Sequence, residues 1–168
     1  MPSSLRSKKI FLVASIVIPI ALYCFYYYGM MIKNAPYKFS EFQSIRFEYG
    51  YGDSLLNKYD SKTGDYQFVN TRDSVVKMHM KLTKDDLIYL HRKAADLGFW
   101  DFPAKELAES KKVRSPRYLI QFNYKRKSKT VVFDEAYDGQ EKLIDANQRL
   151  IKEIKGILDA AESRNKKK

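Results

Sequence analysis

Cysteine, histidine and glycine-rich motifs are scarce in this chain, and their scarcity excludes several classes of function. The 168 residues include one cysteine, Cys24, and two histidines, His79 and His91. One cysteine excludes an internal disulfide framework and a cysteine-based zinc site. The sequence also has no Gly-x-Ser-x-Gly motif and no glycine-rich phosphate loop. We therefore expect no catalytic residue, no metal site and no cofactor.

Aromatic and basic residues, in contrast, are abundant. Aromatic residues make up 14% of the chain, and the mean hydropathy is -0.49. A chain this aromatic can fill a core, so disorder is not expected. The length suits one compact domain with an appendage. The formal net charge of +11 points to an anionic partner or surface.

The appendage is an apolar segment near the N-terminus. After a basic tail at 1–9, the chain runs from Ile10 to Ile32 without a charged residue. A helix of this length spans roughly 35 Å, at about 1.5 Å per residue, which is enough to cross a bilayer. We predict a transmembrane helix over 10–32, followed by a linker over 33–43.

Two other readings of this segment fit less well. A cleaved signal peptide needs a shorter apolar region and a small-x-small site. Here Ala35 is followed by Pro36 and preceded by Lys33 two residues earlier. Cys24 precedes more apolar sequence, unlike the cysteine of a lipoprotein. We therefore expect an uncleaved signal anchor with a single membrane pass.

The charges that flank the apolar segment predict its orientation. Three basic residues precede it, Arg6, Lys8 and Lys9, whereas Lys33 and Lys38 follow it. Positive flanks remain on the cytoplasmic side. We expect a cytoplasmic N-terminus and a C-terminal domain outside the cytoplasm.

The rest of the chain has the pattern of an antiparallel α+β domain over 44–162, with a frayed basic tail at 163–168. Alternation of polar and apolar residues marks strands, and a wide apolar stripe marks helices. The predicted order is ββββαββα, with about six strands and two helices. The strands are 44–49, 55–60, 66–70, 76–82, 117–125 and 129–133, and the helices are 84–97 and 140–162.

Short motifs around the first predicted helix carry a resemblance. The helix follows Leu82-Thr83-Lys84, where Thr83 is a good N-cap, and closes on Leu97-Gly98-Phe99-Trp100-Asp101. With the late hairpin and final helix, this arrangement resembles small bacterial exported or membrane-anchored domains of unknown function. The resemblance covers roughly residues 44 to 162. It implies a fold and a location, and no activity.

A run of basic residues is the strongest signal for a ligand. Between positions 111 and 129 no acidic residue occurs, and such a run predicts an anion-binding patch at one end of the sheet. Its ligands would be anionic lipid headgroups, a phosphate-bearing envelope polymer or an acidic protein; a merely solvated basic surface is the alternative. The patch comprises Lys111, Lys112, Arg114, Arg117, Lys125, Arg126, Lys127 and Lys129.

Nucleic acid is the familiar partner of basic residues that alternate with aromatic ones. Stacking on bases would need Tyr118, Phe122 and Tyr124. The strand pattern places these three rings on the face needed for the core. We therefore expect no nucleic acid partner, unless the domain faces the cytoplasm.

An aromatic cluster follows the first predicted helix. Phe99, Trp100 and Phe102 would either close the open end of the sheet or, if exposed, anchor a partner or a membrane interface. They are therefore candidate interaction residues.

Acidic residues and histidines supply the remaining candidates for chemistry. Asp134, Glu135, Asp138 and Glu141 could hold a hard cation such as calcium, although the pattern also fits a turn and an acidic helix start. His79 is expected on the polar face of its strand. His91 is expected at the edge of an apolar helix stripe.

These observations favour a single-pass, membrane-anchored domain outside the cytoplasm, with a non-catalytic binding or interaction role at the cell envelope. Two alternatives stay open. The first is a cytoplasm-facing domain that binds anionic lipid or nucleic acid. The second is a divalent-cation-dependent enzyme that uses the acidic cluster between Asp134 and Glu141.

Overall fold

The computed structural model describes residues 3–34, 37–108 and 114–166. The chain divides into two units at the boundary between Pro36 and Tyr37. The first unit contains one long helix, α1 (Ser3–Asn34). Lys111 and Lys112 of the predicted patch, and Lys167 and Lys168 of the predicted tail, lie outside the described residues.

Helix α1 is long and apolar enough to cross a membrane. Its most apolar part is Ser7–Gly29, 23 residues with a mean hydropathy of 2.2. The Ser15 hydroxyl donates to the carbonyl oxygen of Leu12 at 2.8 Å, so its polar group is satisfied within the helix. Pro19 is accommodated inside the helix. A signal sequence near the N-terminus can also be this apolar.

The second unit is an α+β domain built on one seven-stranded sheet, which confirms the predicted fold class. The sheet order is β4-β3-β2-β1-β6-β7-β5, and every pairing is antiparallel except β5 with β7. The strands are β1 (Phe42–Tyr51), β2 (Ser54–Asp60), β3 (Asp65–Val69), β4 (Val75–His79), β5 (Lys105–Glu106), β6 (Pro116–Tyr124) and β7 (Ser128–Asp134). The helices are α2 (Lys84–Asp96) and α3 (Glu141–Asn165).

Apart from two single-turn 3-10 helices, Phe39–Glu41 and Phe99–Asp101, the domain differs from the predicted order by one element, β5. This strand has two residues and pairs in parallel with Val132 and Phe133 of β7. Two residues are too few to show a strand period, so the sequence pattern could not reveal it. The other six strands and both helices follow the predicted order.

One face of the sheet carries the core, and α2 and α3 pack on it. Along β6 every second side chain is buried, from Tyr118 to Tyr124, and the side chains between them are half-buried on the other face. The helices contribute Leu90 from α2 and Leu150 and Ile154 from α3, each at most 1% exposed. Neither α2 nor α3 covers the opposite face, here called the open face.

Helix α2 begins and ends as its sequence predicts. The Thr83 hydroxyl accepts from the Asp86 N–H at 3.1 Å, and the Asp86 carboxylate accepts from the Thr83 N–H at 2.9 Å, which is a complete capping box. After the helix, Gly98 has φ 75°, a left-handed conformation that glycine adopts without strain.

Helix α3 extends beyond its predicted end at Glu162. Arg164 of the predicted tail pairs with the Asp86 carboxylate at 2.5 Å, and Asn165 donates to the carbonyl oxygen of His79 at 3.0 Å. Both partners are distant in sequence, so no local pattern could predict this extension. The tail is therefore part of the helix as far as Asn165.

Candidate functional site

The open face of the sheet carries two adjoining grooves lined by polar side chains. Their cavity volumes are about 630 and 440 Å³, and Arg46 and Asp60 line both. Charged groups dominate the larger groove, over β1 to β4. Serine and amide side chains are frequent in the smaller one, which includes Gln43, Gln121 and Asn123. Together the grooves form a polar surface across the strands.

One row of side chains across this surface contains two lysines without an ion-pair partner. Antiparallel register places Glu48 opposite Lys58, Lys58 opposite Gln67, and Gln67 opposite Lys77. Glu48 pairs with Arg46, and neither lysine has an ion-pair partner among the described residues. Both lysines are exposed. With neighbouring strands about 4.8 Å apart, their positions on β2 and β4 are about 10 Å apart.

The next row places two adjacent acidic residues between an arginine and a histidine. Arg46 lies opposite Asp60, Asp60 opposite Asp65, and Asp65 opposite His79. His79 is exposed, as its strand pattern predicts, and its ring lies against Gly64. Gly64 has φ 78°, and a Cβ there would come within 2.7 Å of the imidazole. The turn between β2 and β3 therefore needs glycine to bring these groups together.

Sequence reasoning did not identify this open-face surface as a site. Lys58 and Lys77 lie on different strands and outside the basic run, so only the register of three strands brings them into one row. The turn cluster at 61–64 was the available signal, because it fixes which residues of β2 and β3 face each other.

The structure does not bring the described members of the basic patch together. Arg117 lies near one end of β6, and Lys125 follows the other end. At about 3.3 Å per residue, roughly 25 Å of strand separates them. Arg114 is exposed beside Gly52, on the Arg117 side.

Arg117 serves a structural ion pair. Its guanidinium donates to the buried carboxylate of Asp134 at 3.0 Å and also pairs with exposed Asp53. Burial alone would raise the pKa of Asp134, but hydrogen bonds from Ser115 and Ala136, together with Arg117, lower it below its usual value. Arg117 is therefore neutralised by acidic groups rather than available to a ligand.

At the other end of β6, three consecutive bases form the basic hairpin tip, Lys125–Lys127. All three are exposed. The Arg126 guanidinium donates to the Glu41 carboxylate at 2.6 and 2.9 Å. The Lys127 amine lies 4.5 Å from the ring centroid of Tyr37. Lys129 is half-buried and donates to the carbonyl oxygen of Phe102.

The aromatic candidates lie mainly in the core. Phe99 is 0% exposed and Phe102 is 6% exposed, so a partner cannot reach their rings. Trp100 is half-buried and stacks on Tyr37 with ring centroids 4.5 Å apart. Close by, the Nδ1 atom of His91 lies 2.8 Å from the Tyr124 hydroxyl. Burial and then the charge of Arg92 lower the pKa of His91.

The acidic cluster does not converge. Asp134 is buried in the ion pair described above, whereas Glu135, Asp138 and Glu141 are exposed. Within residues 3–34, 37–108 and 114–166, no group of three or more histidine, cysteine or acidic side chains could hold a metal ion.

A further groove, of about 720 Å³, lies between α3 and the sheet. In it the Lys155 amine lies between two rings, 4.7 Å from the centroid of Tyr49 and 4.8 Å from that of Tyr118. Burial lowers the pKa of Lys155, although Glu135 and Asp159 act in the opposite direction. The two rings hold the amine in place by cation–π attraction.

A buried carboxyl group faces a buried amide beneath β5. The Asn147 amide donates to Glu106 Oε2 at 2.6 Å and to the carbonyl oxygen of Leu143 at 2.9 Å. Glu106 Oε1 and Asn147 Oδ1 have no hydrogen-bond partner among the described residues. Burial raises the pKa of Glu106 to about 7, against the smaller opposing effects of Asn147 and Lys129.

Comparisons with known proteins give no match: no family model, curated protein or solved structure matches the chain. The resemblance to small exported domains therefore rests on the short motifs at Thr83 and Gly98. In the structure, these motifs are a helix cap and a helix stop.

Replacing Arg117 by methionine will destabilise the domain by about 3 kcal/mol, because Asp134 would be left as an uncompensated buried charge. The measurement is urea unfolding of the full chain in detergent micelles, followed by the fluorescence of Trp100, the single tryptophan. Arg126→Met, which removes an exposed arginine of the same basic run, serves as the control and will cost much less. Equal losses in the two variants would contradict the structural role of Arg117.

The buried Glu106 carboxyl predicts a pH dependence of stability. Its folded pKa is raised from 4.5 to about 7, so its contribution is fully present below about pH 4.5 and lost as pH rises through 7. Glu106→Gln keeps the shape of the side chain but removes its ionisable carboxyl group. Its stability relative to wild type should therefore rise by up to about 3 kcal/mol between pH 4.5 and 8.

The same urea unfolding, repeated across this pH range, measures the difference. Glu135→Gln removes an exposed carboxyl and should leave the profile of the wild type unchanged. If the free energies of unfolding of wild type and Glu106→Gln change in parallel with pH, Glu106 does not titrate between pH 4.5 and 8.

Proposed function

We propose that this protein is a non-catalytic binding module of the cell envelope, anchored by α1 in a single membrane pass. Its N-terminus lies in the cytoplasm and the domain from Tyr37 onward lies outside. The ligand is an anionic envelope polymer that binds across the open face. The length and apolar composition of α1 support the anchor, and the basic flank before it supports the orientation.

The observation that carries the ligand proposal is the row of Lys58, Gln67 and Lys77. Two exposed ammonium groups without an ion-pair partner among the described residues flank an amide, on positions about 10 Å apart. An ammonium group attracts a phosphate or carboxylate. The Gln67 amide nitrogen donates one N–H to the carbonyl oxygen of Leu56 at 2.8 Å, so its second N–H and its oxygen are the groups that can meet a ligand. A chain that repeats an anionic group could contact both lysines at once.

The character of the surface favours a polar polymer over a protein partner. Protein interfaces gain most of their affinity from aromatic and arginine side chains in desolvated pockets. The tyrosines in the lining of the open-face grooves are buried, and Arg46, which lines both grooves, is paired with Glu48. Most of the other groups in the lining are lysines, acids and amides. Such groups make hydrogen bonds with a hydrated ligand and suit recognition through charge and shape.

A reporter enzyme fused after Lys168 tests the orientation. Alkaline phosphatase, which is active only outside the cytoplasm, should be active in this fusion, whereas a reporter active only inside should be silent. Replacing Arg6, Lys8 and Lys9 by glutamate removes the positive flank and should lower the phosphatase signal. A silent phosphatase in the wild-type fusion, with the cytoplasmic reporter active, would overturn the extracytoplasmic location.

Binding of fluorescent poly(glycerol phosphate) to the full chain in detergent micelles tests the ligand. The Lys58→Gln/Lys77→Gln variant should bind at least about tenfold more weakly, because a hydrogen bond to a charged group contributes about 1.5 kcal/mol or more. Lys142→Gln/Lys152→Gln removes the same charge from the exposed side of α3 and serves as the control. Equal affinities in the two double variants, or equal binding of neutral dextran, would contradict the proposal.

A further inference from the structure

The basic hairpin tip is joined to the first residues of the domain by three contacts. The Lys125 N–H donates to the carbonyl oxygen of Glu41 at 2.9 Å. Arg126 makes a two-point ion pair with the Glu41 carboxylate, and Lys127 lies over the Tyr37 ring. The tip therefore lies beside the segment at which the chain enters the domain.

Covalent geometry tethers this segment to α1. The helix ends at Asn34, so only Ala35 and Pro36 separate it from Tyr37. Three peptide steps extend about 11 Å at most. When α1 crosses a membrane, Tyr37 therefore lies within a short length of chain from the end of the membrane helix.

The basic hairpin tip keeps a net positive charge after its ion pair with Glu41 is counted. Glu41 is matched by Arg126, which leaves Lys125, Lys127 and the neighbouring Lys38 as exposed cations. By contrast, the acids Asp53 and Asp134 neutralise Arg117 at the far end of β6. Basic residues near an anionic leaflet favour the bound state by roughly fivefold each.

The aromatic side chains beside the tip suit the same environment. Tyr37 and Trp100 stack against each other, and Lys127 lies over Tyr37. Tyr37 is only 9% exposed and Trp100 is half-buried, so Trp100 is the ring that can meet the boundary between hydrocarbon and water, which tryptophan prefers. Cation and ring thus occur together at the end of the domain to which the membrane helix is connected.

We propose that Lys38 and the basic hairpin tip dock the domain on anionic phospholipid headgroups of the membrane that holds α1. Docking fixes the orientation of the domain, so that one end of the sheet rests on the bilayer and the open face stays accessible. This inference rests on the proposed membrane anchor. Lys127 also lines the smaller open-face groove, but the row of Lys58, Gln67 and Lys77 that carries the ligand proposal contains no residue of the tip.

Energy transfer from Trp100 to dansyl-labelled headgroups tests this docking. The full chain is placed in nanodiscs of phosphatidylcholine alone or mixed with phosphatidylglycerol. Transfer should be stronger in the anionic discs and should decrease with salt. The Lys38→Gln/Lys125→Gln/Lys127→Gln variant should lose the increase in transfer seen in the anionic discs. The three corresponding lysine-to-arginine changes should keep this increase.

A matched control separates docking from net charge. Lys81→Gln/Lys142→Gln/Lys152→Gln removes three exposed cations that belong neither to the tip nor to the open-face grooves, and this variant should keep the increase in transfer seen in the anionic discs. An equal loss in this control, or equal transfer in both kinds of disc, would overturn the docking. A chain that does not remain with the discs in alkaline carbonate would instead show that the anchor itself fails.

Discussion

The domain depends on one constraint: α2 and α3 cover a single face of the sheet. Side chains of a strand alternate between its two faces, so each strand must supply apolar groups to one side and polar groups to the other. Strand β1 does this with Ile45 and Phe47 in the core and Arg46 on the open face. The register that aligns the core therefore also aligns the charged rows, and a slip of one residue would destroy both.

Much of this fold can be predicted from sequence because short patterns of neighbouring residues mark most of its strands and helices. Alternation identifies β6, and the capping residues Thr83 and Asp86 identify the start of α2. Elements that depend on distant partners cannot be predicted in this way. The strand at Lys105–Glu106 exists because β7 lies beside it, and the last turn of α3 is held by Asp86 through Arg164.

The candidate sites show the same difference between features that local sequence predicts and features that depend on contacts between distant residues. The basic run is contiguous in sequence, yet an extended strand separates Arg117 from Lys125, and acids 64 and 17 residues away neutralise Arg117. Lys58 and Lys77, which have no distinctive sequence context, come into one row on either side of Gln67 through two turns. The buried pair of Glu106 and Asn147 spans 41 residues and could be found only from the tertiary structure.

The position of β1 in the sheet has a mechanical consequence. The chain enters the domain at β1, and β1 lies in the interior of the sheet, hydrogen-bonded to β2 on one edge and β6 on the other. Tension between the proposed membrane anchor and the ligand proposed for β2, β3 and β4 would reach the sheet through β1. The component of this force along β1 would load its backbone hydrogen bonds together, in shear, instead of opening them one after another. A strand that is paired along both of its edges is thus the one that receives the pull.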